Sequence, residues 1–312
     1  MKYLITGASG YIGSNIISKL TNKGNLITGI THTQKPDKIY DDVTFLNGDI
    51  SKKSFIDTWP KDFDFIIHCA SLVKDYGRKK RFYEVNVQGT KNLVFFSKKV
   101  NIEQFIYLGH IQYESTTYFN YYSETKEKAQ NFLKAEFEKN QFPVTIICPG
   151  NVFGPGATIW LTRVIKILLE KKLYLINDGN GIFHHTYIDN LLDAIFLSIK
   201  NKSAIGHILN ITDGDDSITF KKYFMDLAKI LGVSNSFKTL SKNSALTIGY
   251  VMILLNKISG IKPVVSPLAV EIMTNQMPVS IKPAKEILGY EPRVNYTVGM
   301  ENIEKWIKKK YG

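Results

Sequence analysis

The chain has 312 residues, of which 44% are hydrophobic and 22% charged; this is the composition of a globular protein and excludes a disordered chain. Its formal net charge of +12 would attract polyanions, but the lysines are scattered and the one basic cluster, at residues 78–81, stands alone, so we do not expect a nucleic-acid-binding protein. A chain with only two cysteines cannot be a disulfide scaffold. Its apolar runs are too short to span a membrane, and no signal-peptide pattern follows Lys2, so we predict a cytoplasmic protein.

Strand-length apolar runs alternate with helical stretches through the first half of the chain. Six strands are predicted, at Tyr3–Thr6, Leu26–Ile30, Val43–Leu46, Phe65–His68, Phe105–Leu108 and Val144–Cys148. Helices are predicted between them, at Ile12–Lys23, Phe82–Lys99 and Tyr122–Lys139. Crossovers of this length predict an α/β fold with a doubly wound, Rossmann-type parallel sheet.

The second half of the chain is less regular, with a helix near Ile159–Lys171, short strands and a mostly helical tail. We therefore predict a Rossmann domain over residues 1–155, completed by part of 183–212. Residues 156–182 and 213–312 are predicted to form a smaller, mostly helical C-terminal lobe. Such a lobe would cover the carboxyl edge of the sheet, where ligands bind in these folds, so its position indicates a substrate-binding lobe.

A glycine loop connects the first strand to the first helix, with glycines at Gly7, Gly10 and Gly13. Gly7 permits the tight turn, Gly10 lets the backbone approach a pyrophosphate, and Gly13 allows the helix to pack closely on the sheet. The spacing, together with the strand before it and the helix after it, predicts a dinucleotide site rather than a plain strand end.

The end of the second strand bears on the choice between NAD and NADP. NAD-binding chains usually place an acid there for the ribose hydroxyls, but residues 29–35 contain no carboxylate. Thr31, His32 and Lys35 could instead accept a 2′-phosphate. The alternatives are a preference for NADP(H) and a substituted position with no preference.

Tyr122 and Lys126 open a predicted helix, and their separation of four residues puts both side chains on one face. An ammonium near a phenol favours the phenolate. The pair is therefore a candidate for proton exchange with a substrate hydroxyl or ketone during hydride transfer.

Further motifs lie in order along the chain, at residues 48–50 (GDI), 68–71 (HCAS), 86–93 (NVQGTKNL), 149–156 (PGNVFGPG), 184–190 (HHTYIDN) and 288–293 (LGYEPR). With the glycine loop and the Tyr-Lys pair, the chain resembles the extended short-chain dehydrogenase/reductase family over nearly its whole length. This family includes nucleotide-sugar epimerases and dehydratases and the 3β-hydroxysteroid dehydrogenase and dihydroflavonol reductase groups.

The resemblance implies a set of cofactor-binding residues: Gly7, Ser9, Gly10, Tyr11, Ile12, Gly13, Thr31, His32, Asp49, Ile50, Cys69, Ala70, Ser71, Asn86, Tyr122, Lys126, Pro149, Asn151 and Val152. Within it, Asp49 and Ile50 would hold the adenine, and Asn86 would steady the central helix and sheet. We expect a structural role for His68. No metal site is expected, since the neighbouring histidines at 184 and 185 lack a third ligand at metal-binding spacing.

One position departs from the family pattern. The family carries a serine or threonine just after the fifth strand that hydrogen-bonds the reacting oxygen, but His110 stands there in this chain. Three explanations are open: His110 donates the hydrogen bond instead, Ser115, Thr116 or Thr117 reaches the site from the following loop, or the enzyme is impaired and only binds dinucleotide.

Three functions are consistent with these features. The first is an NAD(P)-dependent oxidoreductase acting on a secondary alcohol or ketone; the second is a nucleotide-sugar epimerase or dehydratase that retains NAD; the third is a catalytically impaired dinucleotide-binding protein. The apolar stretch Ala245–Ile258 slightly favours the first, because it could line an apolar substrate pocket; it could also dock on a membrane face or be an ordinary core or dimer helix. The family resemblance also implies a homodimer through the helices that begin near Phe82 and Tyr122.

Overall fold

The computed structural model describes residues 1–33, 36, 38–112 and 120–311. In chain order the strands are β1 (Lys2–Thr6), β2 (Leu26–Thr31), β3 (Val43–Asn47), β4 (Phe65–His68), β5 (Gln104–Leu108), β6 (Val144–Pro149), β7 (Asn151–Phe153), β8 (Tyr174–Ile176), β9 (His185–Tyr187), β10 (Ile208–Ile211) and β11 (Lys238–Leu240). The helices are α1 (Tyr11–Leu20), α2 (Lys53–Ile56), α3 (Lys79–Phe82), α4 (Gly89–Val100), α5 (Tyr121–Asn140), α6 (Arg163–Leu169), α7 (Ile188–Ser198), α8 (Phe220–Ile230), α9 (Lys242–Ser259), α10 (Pro267–Thr274), α11 (Lys282–Leu288) and α12 (Tyr296–Tyr311).

The main sheet is parallel throughout and, in the described ranges, contains seven strands in the order β10-β6-β5-β4-β1-β2-β3. The chain winds outward in both directions from the β1–β4 pair, which confirms the predicted doubly wound sheet. The six strands predicted in the first half of the chain are all present. The seventh strand, β10, lies within 183–212 and was not predicted individually; it is a four-residue edge strand whose Ile208 is exposed and whose apolar run is interrupted by Asn210.

Alternate residues of the central strands pack into cores on opposite faces of the sheet. Tyr3 and Ile5 face α1 and α7, whereas Leu4 faces the helices on the other side. Both cores are built from fully buried side chains, which explains why the central strands are continuous apolar runs rather than alternating ones.

The predicted helix over Phe82–Lys99 begins earlier and is not uniform. It starts as α3, passes through a π-helical segment at Tyr83–Gln88 and continues as α4. The helix predicted near Ile159–Lys171 likewise begins with a π-helical segment at Thr158–Thr162 before α6. Side-chain periodicity predicts a helix but does not distinguish the wider π turn from the α turn.

Apart from α7 and β10, much of the chain beyond β6 lies outside the main sheet. Two small parallel pairs form there, β7 with β9 and β8 with β11. Helix α9 packs on α10, where Ala245 and Val270 are fully buried together with Ile176 of β8. Residues of α9 and α10 line the same cavity as the glycine loop.

Candidate active site

A large cleft of about 2360 Å³ runs along the carboxyl edge of the sheet. Residues that follow six neighbouring strands, β1 to β6, line one wall, and α9 and α10 supply much of the other. Pockets for one drug-sized ligand hold roughly 300–1,000 Å³, so this cleft has room for a dinucleotide and a substrate together.

The glycine loop leaves room for backbone and for a ligand but not for side chains. Gly7 has φ +68°, and a Cβ on it would lie 2.8 Å from the Ala70 nitrogen. A Cβ on Gly13 would lie 2.2 Å from the Gly7 carbonyl oxygen. Helix α1 begins at Tyr11, so its amino end faces the loop. This geometry fits a pyrophosphate at the helix amino terminus.

Asp49 lies at the end of the cleft beyond β3. Its carboxylate contacts the Arg81 guanidinium at 2.8 Å and lies 3.9 Å from His32 Nε2. Burial raises the pKa of Asp49, but the hydrogen bonds from Ser51 and the Arg81 contact outweigh it, so the net pKa is lowered. Sequence analysis placed Arg81 only in a basic surface cluster; its contact with Asp49 is made by the fold, and it lines the cleft.

Asn86 does not line the cleft, unlike the other predicted cofactor-binding residues, all of which do. Its side-chain oxygen accepts hydrogen bonds from Ser71 Oγ at 3.1 Å and from the Leu72 backbone nitrogen at 2.7 Å. Its amide donates to Thr125 Oγ1 on α5 at 3.0 Å. Asn86 therefore holds the loop after β4 against α5 and acts on the site through Ser71.

His68 is buried behind the cleft. Its two ring nitrogens hydrogen-bond the hydroxyls of Thr6 and Thr90 at 2.7 and 3.0 Å. Burial, with a smaller contribution from the charge of Lys126, lowers the pKa of His68 to about 3. The ring therefore stays neutral and links β1, β4 and α4, a structural arrangement.

Tyr122 and Lys126 lie one turn apart on α5 and both line the cleft. The helix is capped by Asn120, whose side chain accepts from the Ser123 nitrogen at 2.6 Å. Burial raises the pKa of Tyr122 to about 12 and lowers the pKa of Lys126 to about 7. Lys126 Nζ donates to the Leu108 carbonyl oxygen, so the end of β5 sets its position.

His110 lines the cleft beside Tyr122, with the two ring centroids 6.1 Å apart. The side-chain oxygen of Gln130 accepts from the His110 backbone nitrogen at 3.0 Å, which identifies that atom as the oxygen. The same oxygen lies 2.8 Å from His110 Nδ1, so Nδ1 carries a proton and donates. Burial lowers the pKa of His110 to about 4, with the Gln130 hydrogen bond opposing it, so the ring is neutral near pH 7.

This tautomer changes the first explanation for the missing serine or threonine. A neutral imidazole protonated at Nδ1 has only a lone pair at Nε2, so that atom accepts a hydrogen bond and does not donate one. In this tautomer neutral His110 has no Nε2 proton to donate to a carbonyl. Ser115, Thr116 and Thr117 of the second explanation lie outside the described residues, as does Lys35.

Both cysteines are free. Cys69 lines the cleft and Cys148 is buried, where the Gln130 amide donates to its sulfur at 3.6 Å. Burial raises the pKa of each thiol to about 12, so neither is a thiolate near neutral pH. In the part of the chain that the structure describes, no group of three His, Cys, Asp or Glu side chains is arranged to hold a metal ion.

Residues 3–212 match the sequence profile of a family described as the NAD dependent epimerase/dehydratase family. The chain belongs to this family. Its membership confirms the resemblance to extended short-chain dehydrogenases/reductases and the predicted enzyme class, an NAD(P)-dependent oxidoreductase or epimerase/dehydratase. It likewise confirms a nicotinamide dinucleotide as cofactor and a small molecule as substrate.

Two curated relatives extend the comparison beyond the family profile. A 3-beta-hydroxysteroid dehydrogenase of Mycolicibacterium neoaurum is 25% identical, over 93% of this chain and 87% of its own length. A decarboxylating sterol-4-alpha-carboxylate 3-dehydrogenase of Candida albicans is 27% identical, over 98% of this chain and 97% of its own.

Solved structures share the fold over the whole chain. The UDP-glucose 4-epimerase of Thermotoga maritima superposes with a TM-score of 0.78 at 17% identity, covering 100% of both chains. The UDP-glucuronic acid 4-epimerase of Bacillus cereus, solved with NAD, gives a TM-score of 0.76 at 22% identity and the same coverage. These likenesses confirm the predicted Rossmann-type fold.

Proposed function

We propose that this family member interconverts a secondary alcohol and a ketone on an apolar substrate. The observation that carries the proposal is the part of the cleft wall that α9, α10 and the loop between them supply, with apolar side chains at Leu246, Val265, Leu268, Ile272 and Met273. Apolar walls with few polar groups select apolar ligands. The names of the two curated relatives, a steroid and a sterol dehydrogenase, support the same substrate class.

In this proposal the glycine loop would hold the pyrophosphate, Asp49 and Ile50 would hold the adenine, and residues 149–152 would flank the nicotinamide. The bound dinucleotide supplies the hydride acceptor or donor. Tyr122 exchanges a proton with the substrate oxygen, because it is an acid-base group that lines the cleft from α5, beside Lys126. Lys126 contributes positive charge that stabilises the phenolate while the proton is absent.

The proposed role of His110 follows from its tautomer. Nε2 accepts a hydrogen bond from the substrate hydroxyl, which orients the alcohol oxygen toward Tyr122. For the oxidation the hydroxyl hydrogen turns from Nε2 to Tyr122, which takes the proton as the phenolate, and the neutral ring stays in place because its Nδ1 is held by Gln130. His110 thus positions the alcohol rather than activating the ketone.

We further propose that the site accepts NADP(H) at least as well as NAD(H). Thr31 and His32 line the cleft at the end of β2, and the nearby Asp49 carboxylate is paired with Arg81. A 2′-phosphate would meet the guanidinium and the imidazole instead of an unpaired carboxylate. Calorimetric titration with NADPH and NADH tests this: Arg81→Ala should weaken NADPH binding by about tenfold or more, and NADH binding by less.

The reaction is tested by isotope transfer. The purified protein is denatured and any released dinucleotide is identified by mass spectrometry; the native enzyme is then incubated with deuterated NADPH or NADH and separate panels of steroid ketones and UDP-sugars. Deuterium in a reduced steroid supports the proposal. Stoichiometric bound NAD with epimerised UDP-sugar and no net cofactor consumption would instead show an epimerase.

A cytoplasmic location and a homodimer also stay predictions. For the dimer, the π-helical segment Tyr83–Gln88 and α5 form a shallow surface groove that includes Tyr83, Val87 and Phe132. We propose this as the contact between two copies. Sedimentation of the wild type and of Phe132→Asp tests it, with a dimer expected only for the wild type.

A further inference from the structure

The outer face of α9 presents five apolar side chains to the surface, at Ile248, Val251, Leu254, Leu255 and Ile258. Their exposed fractions range from 38% at Leu255 to 76% at Ile258. Four of the five follow the spacing i, i+3, i+4, i+7 and so form one stripe along the helix. The following loop extends the patch with Ile261 and Val264, which is 73% exposed. Contiguous apolar patches of this kind mark interaction sites.

The opposite side of the helix is already packed. Ala245 and Gly249 are buried, and a Cβ on Gly249 would lie 3.1 Å from the Pro267 ring at the start of α10. The inner side of α9 therefore packs against the rest of the protein, and the outer face is available to a binding partner.

The charged residues of the segment that contains this face have one sign. Residues 227–270 contain no aspartate or glutamate, and their charged side chains are all lysines, at 229, 238, 242, 257 and 262. The next acid, Glu271 on α10, is half-buried, and the charge of Lys242 acts on its carboxyl group. An apolar stripe flanked by lysines without acids complements a bilayer surface that carries anionic headgroups.

The patch also adjoins the cleft. Ile248 and Val264 belong to the exposed patch and line the cleft as well, together with Lys262. We propose that the outer face of α9 docks the protein on an anionic lipid surface, with the mouth of the cleft at the contact. An apolar substrate dissolved in the bilayer would then enter the cleft without crossing water; this consequence rests on the proposed function, whereas the docking itself does not.

Docking here means lying on the surface. Within the described ranges no helix is long and apolar enough to cross a membrane. An interfacial helix buries one face at the level of the headgroups and keeps the other against its own protein, which matches the packing of α9 on α10.

The test is flotation of the full chain with vesicles of phosphatidylcholine alone and of phosphatidylcholine mixed with phosphatidylglycerol. The wild type should float with the anionic vesicles and only weakly with the neutral ones. Leu254→Asp with Ile258→Asp should weaken binding by about tenfold or more, because two exposed apolar side chains no longer enter the headgroup layer. Lys257→Gln with Lys262→Gln should weaken it by about fivefold per lysine.

Matched controls place the same charge changes elsewhere on the surface. Ile39→Asp with Leu169→Asp alters two other exposed apolar side chains, and Lys23→Gln with Lys309→Gln removes two other exposed lysines. Both controls should float like the wild type. The proposal is overturned by no flotation with either vesicle, by equal losses in variants and controls, or by a self-associated species at the α9 face in place of vesicle binding. Dinucleotide binding, measured alongside, should be unchanged in the variant with Leu254→Asp and Ile258→Asp and in both controls, none of whose changed residues lines the cleft, so a failure of docking is distinguishable from a failure of the proposed function.

Discussion

The Gln130–His110 contact predicts the protonation chemistry of the site and can be tested without a substrate. Gln130→Glu keeps the oxygen that accepts from His110 Nδ1 and adds a negative charge at 2.8 Å from that nitrogen. Burial in the wild type lowers the pKa of His110 from its ordinary 6.5 to about 4, a bias of about 3 kcal/mol against the imidazolium. A carboxylate in hydrogen-bond contact typically raises a histidine pKa by about 1–3 units, so His110 in the variant should titrate between roughly pH 5 and 7.

The assay is long-range proton–nitrogen NMR on protein labelled with ¹⁵N-histidine, recorded as a function of pH. His110 is assigned by the signal that disappears in His110→Gln. In the wild type its Nδ1 should show the shift of a protonated nitrogen and Nε2 that of an unprotonated one, down to about pH 5. Gln130→Met should release the tautomer, since no side-chain acceptor remains at Nδ1.

Gln104→Met is the matched control, because Gln104 is another buried glutamine with three hydrogen bonds that lies away from the cleft. It should leave the His110 signals unchanged. A wild-type His110 protonated at Nε2, or one that titrates near 6.5, would refute both the tautomer and the role proposed for this residue.

Three other outcomes follow from the site and its surroundings. Gly13→Ala should abolish dinucleotide binding in calorimetry, since the new Cβ would lie 2.2 Å from the Gly7 carbonyl oxygen; binding within tenfold of the wild type would contradict the predicted cradle. Tyr122→Phe should lower turnover by about 10²–10⁴-fold with little change in dinucleotide affinity, and near-normal turnover would remove this tyrosine from the reaction. The folded pKa of His68, about 3, lies below its unfolded value of 6.5, so the folded state binds fewer protons and its stability falls as the pH drops through that window. Urea unfolding at pH 7 and pH 5 should show that His68→Asn reduces the loss on acidification by about 2 kcal/mol, and an unchanged loss would mean that His68 already titrates normally in the fold.

Local sequence patterns were enough to predict the features that are determined by residues close together in the chain. The continuous apolar runs predicted the central strands, since burial on both faces leaves no place for polar residues. Gly7 and Gly13 predicted the glycine loop, because the close approach of loop and helix excludes any side chain. Tyr122 and Lys126 needed only the helical repeat to be placed on one face.

Contacts between distant parts of the chain were decided by the tertiary structure alone. Arg81 and Asp49 are 32 positions apart, and their pairing depends on how α3 lies across the end of β3. The tautomer of His110 depends on which atom of Gln130, 20 positions away, meets its Nδ1. A hydrogen bond or ion pair is set by distance and angle to within a fraction of an ångström, and no pattern in a single sequence specifies those. The outer face of α9 also depends on the tertiary structure. Its apolar residues can be read from the sequence, but the packing of α10 determines which of them are buried.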